Sequence, residues 1–298
     1  MKNIQLSSRS WLFLGLILAP VLFAWHPLAS TFQLSIKNDE YTHILLVIPV
    51  SLAFILIEWK LVSALERTQL ARGLFLLFVA IAIAALTLVA LPQDISDLRL
   101  SISMLAIVTW WIGSFVLVFG TRVARSLIFP LGFLYCLVPL PAFALNQIIK
   151  LLQQGSVFSA WVLFAAAGVP ISQDGLMMSI PGLTIEVAKE CSSIRSSLML
   201  LVTTVVLAQL FLRSPFRKAL IVAIALPLSV AKNGLRIFTI AMLGTRVDSR
   251  FMTGRFHHQG GIIFFVIALL IVILALHLLE RGERQSVTAP GLKAFASC

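Results

Sequence analysis

Residues 191–213 read CSSIRSSLMLLVTTVVLAQLFLR. Beyond Ser197 the run is apolar to Leu212, broken only by Thr203, Thr204 and Gln209. About 20 predominantly apolar residues cross a bilayer core, so 192–213 is read as a membrane span. Its opening is unlike that of an ordinary span. A thiol (Cys191), several serine hydroxyls and a guanidinium (Arg195) stand where apolar or aromatic anchors are usual.

The whole chain agrees with the membrane reading. Of 298 residues 59% are hydrophobic and only 12% charged, with a mean hydropathy of +1.01. A soluble domain of this size needs more charge to cover its surface. The net charge of +11 is read as basic cytoplasmic loops that set orientation, not as nucleic-acid binding. Apolar runs of span length fall at about 11–25, 41–59, 73–92, 101–120, 126–143, 192–213, 219–243 and 257–279. Residues 1–25 have the basic start and apolar run of a signal peptide but no clear cleavage site, so they are read as a retained first span.

Loop charges orient these runs. Lys60, Arg67 and Arg72, then Arg122 and Arg125, then Arg213, Arg217 and Lys218 are expected inside. Asp39 and Glu40, then Asp94 and Asp97, are expected outside. Eight spans with both termini cytoplasmic satisfy all five groups. The stretch 144–170 is therefore expected to be an interfacial helix (NQIIKLLQQG) followed by a re-entrant segment rather than a further span. Residues 171–190 contain Pro181-Gly182 and the alternating LTIEV, which predict a short extracytoplasmic hairpin or lid. The expected fold is an all-α polytopic membrane protein: one membrane domain over 1–280, with a catalytic half at about 125–280 and a frayed polar tail at 281–298.

The three cysteines, Cys136, Cys191 and Cys298, have no short spacing and define neither a disulfide framework nor a zinc site. Cys136 lies in an apolar run and reads as a packing residue. Cys191 has polar company: Glu190 before it and Arg195 one turn after it.

In the eight-span arrangement the span after Cys191, the end of the span carrying Lys232, Asn233 and Arg236, and the span opening at His257-His258 all meet the outer face. Ionisable groups at membrane depth are functional candidates by default. A thiol near a helix N-terminus and a guanidinium is drawn toward thiolate. His257 or His258 can serve as base to the thiol and acid to a leaving amine. Arg236 stays protonated and suits an oxyanion or a carboxylate. Lys232 and Arg236 repel at i,i+4 unless an anion or a water-filled cavity lies between them. Asn233 is a candidate for hydrogen bonding to a neighbouring helix. Together these groups describe acyl transfer through a thioester. The alternatives are an anion or lipid-carrier transporter, in which the basic residues line a path, and a polyprenyl-phosphate-dependent transferase.

At these positions the chain resembles the exosortase/archaeosortase family. The matching residues are Cys191-Ser192-Ser193-Ile194-Arg195, then Asn233-Gly234-Leu235-Arg236-Ile237, then His257 with Gly261 four residues on. The resemblance covers about residues 125–280 and, with a histidine in third place, implies the bacterial exosortase branch. It implies a multispan cysteine transpeptidase with Cys191 as nucleophile and Arg236 and His257 completing the triad. Arg195, Asn233, Lys232, His258 and Glu190 would support that triad or bind substrate. The implied substrates are exported proteins with a C-terminal tripartite signal: a motif such as Pro-Glu-Pro, a hydrophobic helix and a basic cluster. The acceptor is left open between water and an amine on a lipid or glycan. No cofactor, metal or nucleic acid is expected, and the implied location is the bacterial inner membrane with the site facing outward.

Overall fold

The structure, a computed structural model, describes residues 8–58, 70–90, 92, 96–187, 194–248, 250 and 261–293. It is mostly helical, as expected. Among the described residues, seven helices are long and apolar enough to cross a membrane, or eight when one bent pair counts as a single span. The chain divides into two compact units, Met1–Leu145 and Asn146–Cys298.

The first unit opens with the bent pair. Helices α1 (Ser8–Phe23) and α2 (Trp25–Lys37) meet at 80°. Pro27 explains the break, because its ring would collide with the Phe23 carbonyl of a continuing helix. Pro20 inside α1 cannot donate to the carbonyl four residues back, that of Leu16. Trp110 Nε1 donates to that carbonyl at 2.8 Å, and Trp111 Nε1 to Ile17 O at 3.1 Å. After a 3₁₀ turn (Asp39–Tyr41) come α3 (Ile44–Ile57), α4 (Leu70–Val89) and α5 (Ser96–Ser126). Helices α4 and α5 pack backbone to backbone: a Cβ on Gly73 would stand 2.7 Å from Leu117 N, and one on Gly113 3.0 Å from Leu76 Cβ. Helix α5 breaks at Gly120, where φ is 82°, a conformation other residues rarely adopt.

The expected span at 126–143 takes an irregular form. It consists of α6 (Ile128–Phe133), a 3₁₀ turn (Leu134–Leu137) and an extended end. Pro139 and Pro141 prevent a longer helix, and the residue before a proline is driven to extended backbone; Val138 has φ −73° and ψ 113°. This limb still runs the length of α3. Phe129 meets Phe54 edge-on at 4.9 Å, while at the other end Tyr41 donates to Leu140 O at 2.8 Å. The Ala142 N–H then donates to Asp97 Oδ2 at 2.8 Å, back at the start of α5. Ten helical and four extended residues reach roughly 30 Å, about one hydrocarbon thickness.

The stretch 144–170 differs from expectation. Ala142–Ala166 is one continuous helix, α7, of span length. Of the polar residues that made it look interfacial, Gln153 is buried, while Asn146, Gln147, Lys150 and Gln154 are exposed; Ser156, just beyond them, is buried.

In the second unit α7 leads into an antiparallel meander, β1 (Ser172–Asp174), β2 (Met177–Ile180) and β3 (Leu183–Glu186). The expected hairpin is therefore present, with Ile180 opposite Leu183. Pro181 and Gly182 (φ 82°) make the tight turn between β2 and β3. One face of the sheet packs down: Met178, Ile180 and Val187 join Val157, Ala160 and Phe164 of α7 in a cluster with Ile237 and Ala241. Helices α8 (Ile194–Phe211), α9 (Pro215–Arg246) and α10 (Gly261–Lys293) complete the unit. They share the core Leu200, Ala208, Leu212, Ile221, Ala268, Val272 and Leu276. The helix α10 runs on through the region expected to fray. Glu283 explains why the first turns past residue 280 are held: its carboxylate accepts the N–H of Arg213 at 3.0 Å and of Ser214 at 2.6 Å, while Arg217 donates to Leu279 O.

Candidate functional site

The contacts at the basic turn fix the register of the three last helices. Arg217 of α9 stands beside Leu279 of α10. From Arg217 to Arg236 a helix rises roughly 28 Å, and from Leu279 back to Gly261 roughly 27 Å. The start of α10 thus lies at the depth of Arg236. The start of α8 lies at the depth of Lys232, because Lys232 Nζ donates to Ser196 Oγ at 2.5 Å. The two helix starts and the Lys232–Arg236 part of α9 collect at one end of the unit, the end covered by the hairpin sheet.

Lys232 and Asn233 are both buried, at 6% and 1% exposure. They point to different neighbours. Lys232 faces α8, whereas Asn233 Nδ2 donates to Ser156 Oγ of α7 at 2.9 Å. Ser156 in turn donates to Leu152 O at 2.6 Å. Gly234 lets α9 approach α7 closely; a Cβ there would fall 2.8 Å from the backbone nitrogen of Ala160 and collide with Ser159. Gly155, Ser159 and Ala160 on α7 make this a contact between small residues, the usual means of close helix packing in lipid. Arg236, one turn beyond Lys232, is half-buried with its Nε inside. Arg195 is exposed on the first turn of α8.

The chain entering the site is anchored too. Val187 is fully buried; its N–H donates to Leu176 O at 3.0 Å, and Gln153 Nε2 donates to its carbonyl at 2.8 Å. Glu190, Cys191, His257 and His258 lie outside the described residues.

Three side chains here were not singled out from the sequence: Ser196, Ser156 and Gln153. Each pairs with a residue 34 to 77 positions away, so no local spacing announces it. The small residues of α7 were the available signal for Ser156.

The family model for transmembrane exosortase (Exosortase_EpsH) matches residues 35–274. That stretch is most of the chain and contains every site residue named above, and the chain belongs to the transmembrane exosortase family. Membership implies a multi-pass membrane protein with a transpeptidase role on proteins of the PEP-CTERM type. No curated protein and no solved structure matches the chain.

Proposed function

We propose that this chain cleaves the C-terminal sorting signal of exported, membrane-anchored proteins through a thioester at Cys191 and passes the shortened protein to an acceptor. The observation that carries the reading is the Lys232–Ser196 hydrogen bond. It ties the Asn233–Ile237 motif to the first turn of α8, which begins three residues after Cys191. Three residues of chain extend at most about 11 Å and four about 14 Å. A thiol at 191 and an imidazole at 257 are therefore tethered close to helix starts that share the depth of Lys232 and Arg236.

In the proposed reaction the thiol proton passes to His257 or His258, and the sulfur attacks the carbonyl carbon of the scissile peptide. Arg236 offsets the negative charge on the carbonyl oxygen. The histidine returns the proton to the departing amine as the C–N bond breaks, leaving an acyl-enzyme thioester. An acceptor amine, or water, then attacks the same carbon, and the thiol is released. Arg195 favours the thiolate, Glu190 and Asn233 support the site, and the hairpin sheet guards its entrance. In this reading the site faces outward from a bacterial inner membrane and both termini are cytoplasmic.

The test is mass spectrometry of a co-expressed PEP-CTERM-type protein with wild type, Cys191→Ala and Cys191→Ser. A shortened C-terminus should appear with wild type only, and the product mass identifies the acceptor. Equal processing by all three proteins would eliminate the thiol mechanism.

A further inference from the structure

Lys232 is an ammonium placed where a charge is costly. It is 6% exposed in the outer part of α9, and its one hydrogen bond among the described residues goes to a neutral hydroxyl, Ser196 Oγ. None of the described carboxylates of this unit pairs with Lys232. Asp174 and Glu186 are on the sheet, Asp248 pairs with Arg250 and Glu280 with Arg284, and Glu283 caps the Arg213–Ser214 turn. The nearest like charge, Arg236, is one turn along the same helix. Two cations at i,i+4 repel, and a buried ion without a counter-charge is strongly destabilising. One residue past Ser196, the Ser197 hydroxyl is buried with no hydrogen-bond partner among the described residues. This end of α8 thus holds one hydroxyl that the described residues leave unsatisfied.

An ammonium has three N–H donors, and Ser196 takes one. Two remain for an anionic ligand; in a site that receives a peptide, the anion brought beside them is a side-chain carboxylate. We infer that Lys232 seats a carboxylate side chain of the protein substrate, next to the bond that Cys191 attacks. The inference rests on the reading of Cys191 as nucleophile, since Ser196 stands five residues from it. Lys232 is then a specificity residue: it selects substrates with an acidic residue close to the cleavage point, and Arg236 is left for the oxyanion.

The experiment measures capture rather than turnover. Full-length enzyme with Cys191→Ala is co-expressed with a PEP-CTERM-type protein, and the complex is trapped by photo-crosslinking in membranes. Each Asp or Glu preceding the substrate's apolar anchor is changed in turn to Asn or Gln. One of these changes should lower capture roughly ten- to a hundredfold. Lys232→Met should lower it equally, and the two changes combined should lose no more than either alone. Lys232→Glu should regain capture of a substrate whose critical acid is replaced by Lys. The substrate series uses enzyme with an intact Lys232, so it stands even where a Lys232 variant fails to fold. Capture indifferent to every substrate acid overturns the proposal and leaves a lipid phosphate as the anion. A Glu190→Gln change that reproduces the Lys232→Met loss also overturns it, because the anion is then the enzyme's own. Processing by Cys191→Ala is a separate result: it removes the thiol mechanism whatever capture shows.

Discussion

Gly234 and Gly155 occupy the same helix contact from opposite sides, yet they differ in what a methyl group would strike. At Gly234 the obstacle includes the backbone nitrogen of Ala160, 2.8 Å from the added carbon; at Gly155 it is a methyl of Val230 at 2.8 Å. Backbone cannot move aside as a side chain can. Gly234→Ala should cost about 2 kcal/mol or more and Gly155→Ala about 1 kcal/mol or less, read as thermal unfolding midpoints in detergent. Equal midpoints would show that α7 and α9 are not in tight contact here. Asn233 lies beside Gly234, so Gly234→Ala should also separate Asn233 from Ser156. At this scale the sequence was legible for charged residues and silent about their partners. Lys232, Asn233 and Arg236 announce themselves because lipid makes polar residues rare. Ser196, Ser156 and Gln153 do not, because hydroxyls and amides are common and their pairing depends on distant helices meeting.

Among the elements, the limb through residues 127–141 and the helix α7 decide on which side the later loops fall. Arg122 and Arg125 share a side with Arg213, Arg217 and Lys218 when one of the two elements crosses the membrane. If both cross, the basic groups are separated and the hairpin sheet faces inward. The charge rule favours the first arrangement. Reporter fusions should then place the Arg213–Ser214 turn in the cytoplasm and the Asp174–Gly175 turn outside; the reverse would overturn the outward-facing site. Both elements were hard to read for physical reasons. The limb is as apolar as a span, but its prolines break the helix that hydropathy implies. Helix α7 opens with exposed Asn146, Gln147 and Lys150, which read as contact with headgroups, and only its unbroken continuation to Ala166 gives it span length. The hairpin was plain, since Pro181-Gly182 and alternating apolar residues leave few other structures open.

Across the whole molecule, the residues with candidate chemical roles fall in the second unit, while the first is held by packing and by hydrogen bonds such as those of the two indoles, Tyr41 and Asp97. Trp110→Phe removes the donor to the Leu16 carbonyl and leaves that carbonyl unsatisfied beside Pro20. The expected cost is about 1–3 kcal/mol, seen as a lower unfolding midpoint, with processing per folded molecule unchanged. Loss of processing in protein that remains folded would show that the first unit takes part in the reaction. The overall class was legible from composition alone, because a bilayer demands long apolar helices and leaves few alternatives.

The carboxylate of Glu283 on the turn between α8 and α9, with Arg217 on Leu279, gives the last three helices the mechanics of tweezers. They are riveted at one end, and the residues proposed to react belong near the tips. Over a lever of roughly 27 Å, a splay of about two degrees at the rivet opens the tips by roughly 1 Å. Errors of that size in the position of reacting atoms can cost about a hundredfold in rate. A carboxylate far from the chemistry thereby sets the tolerance to which the jaws close.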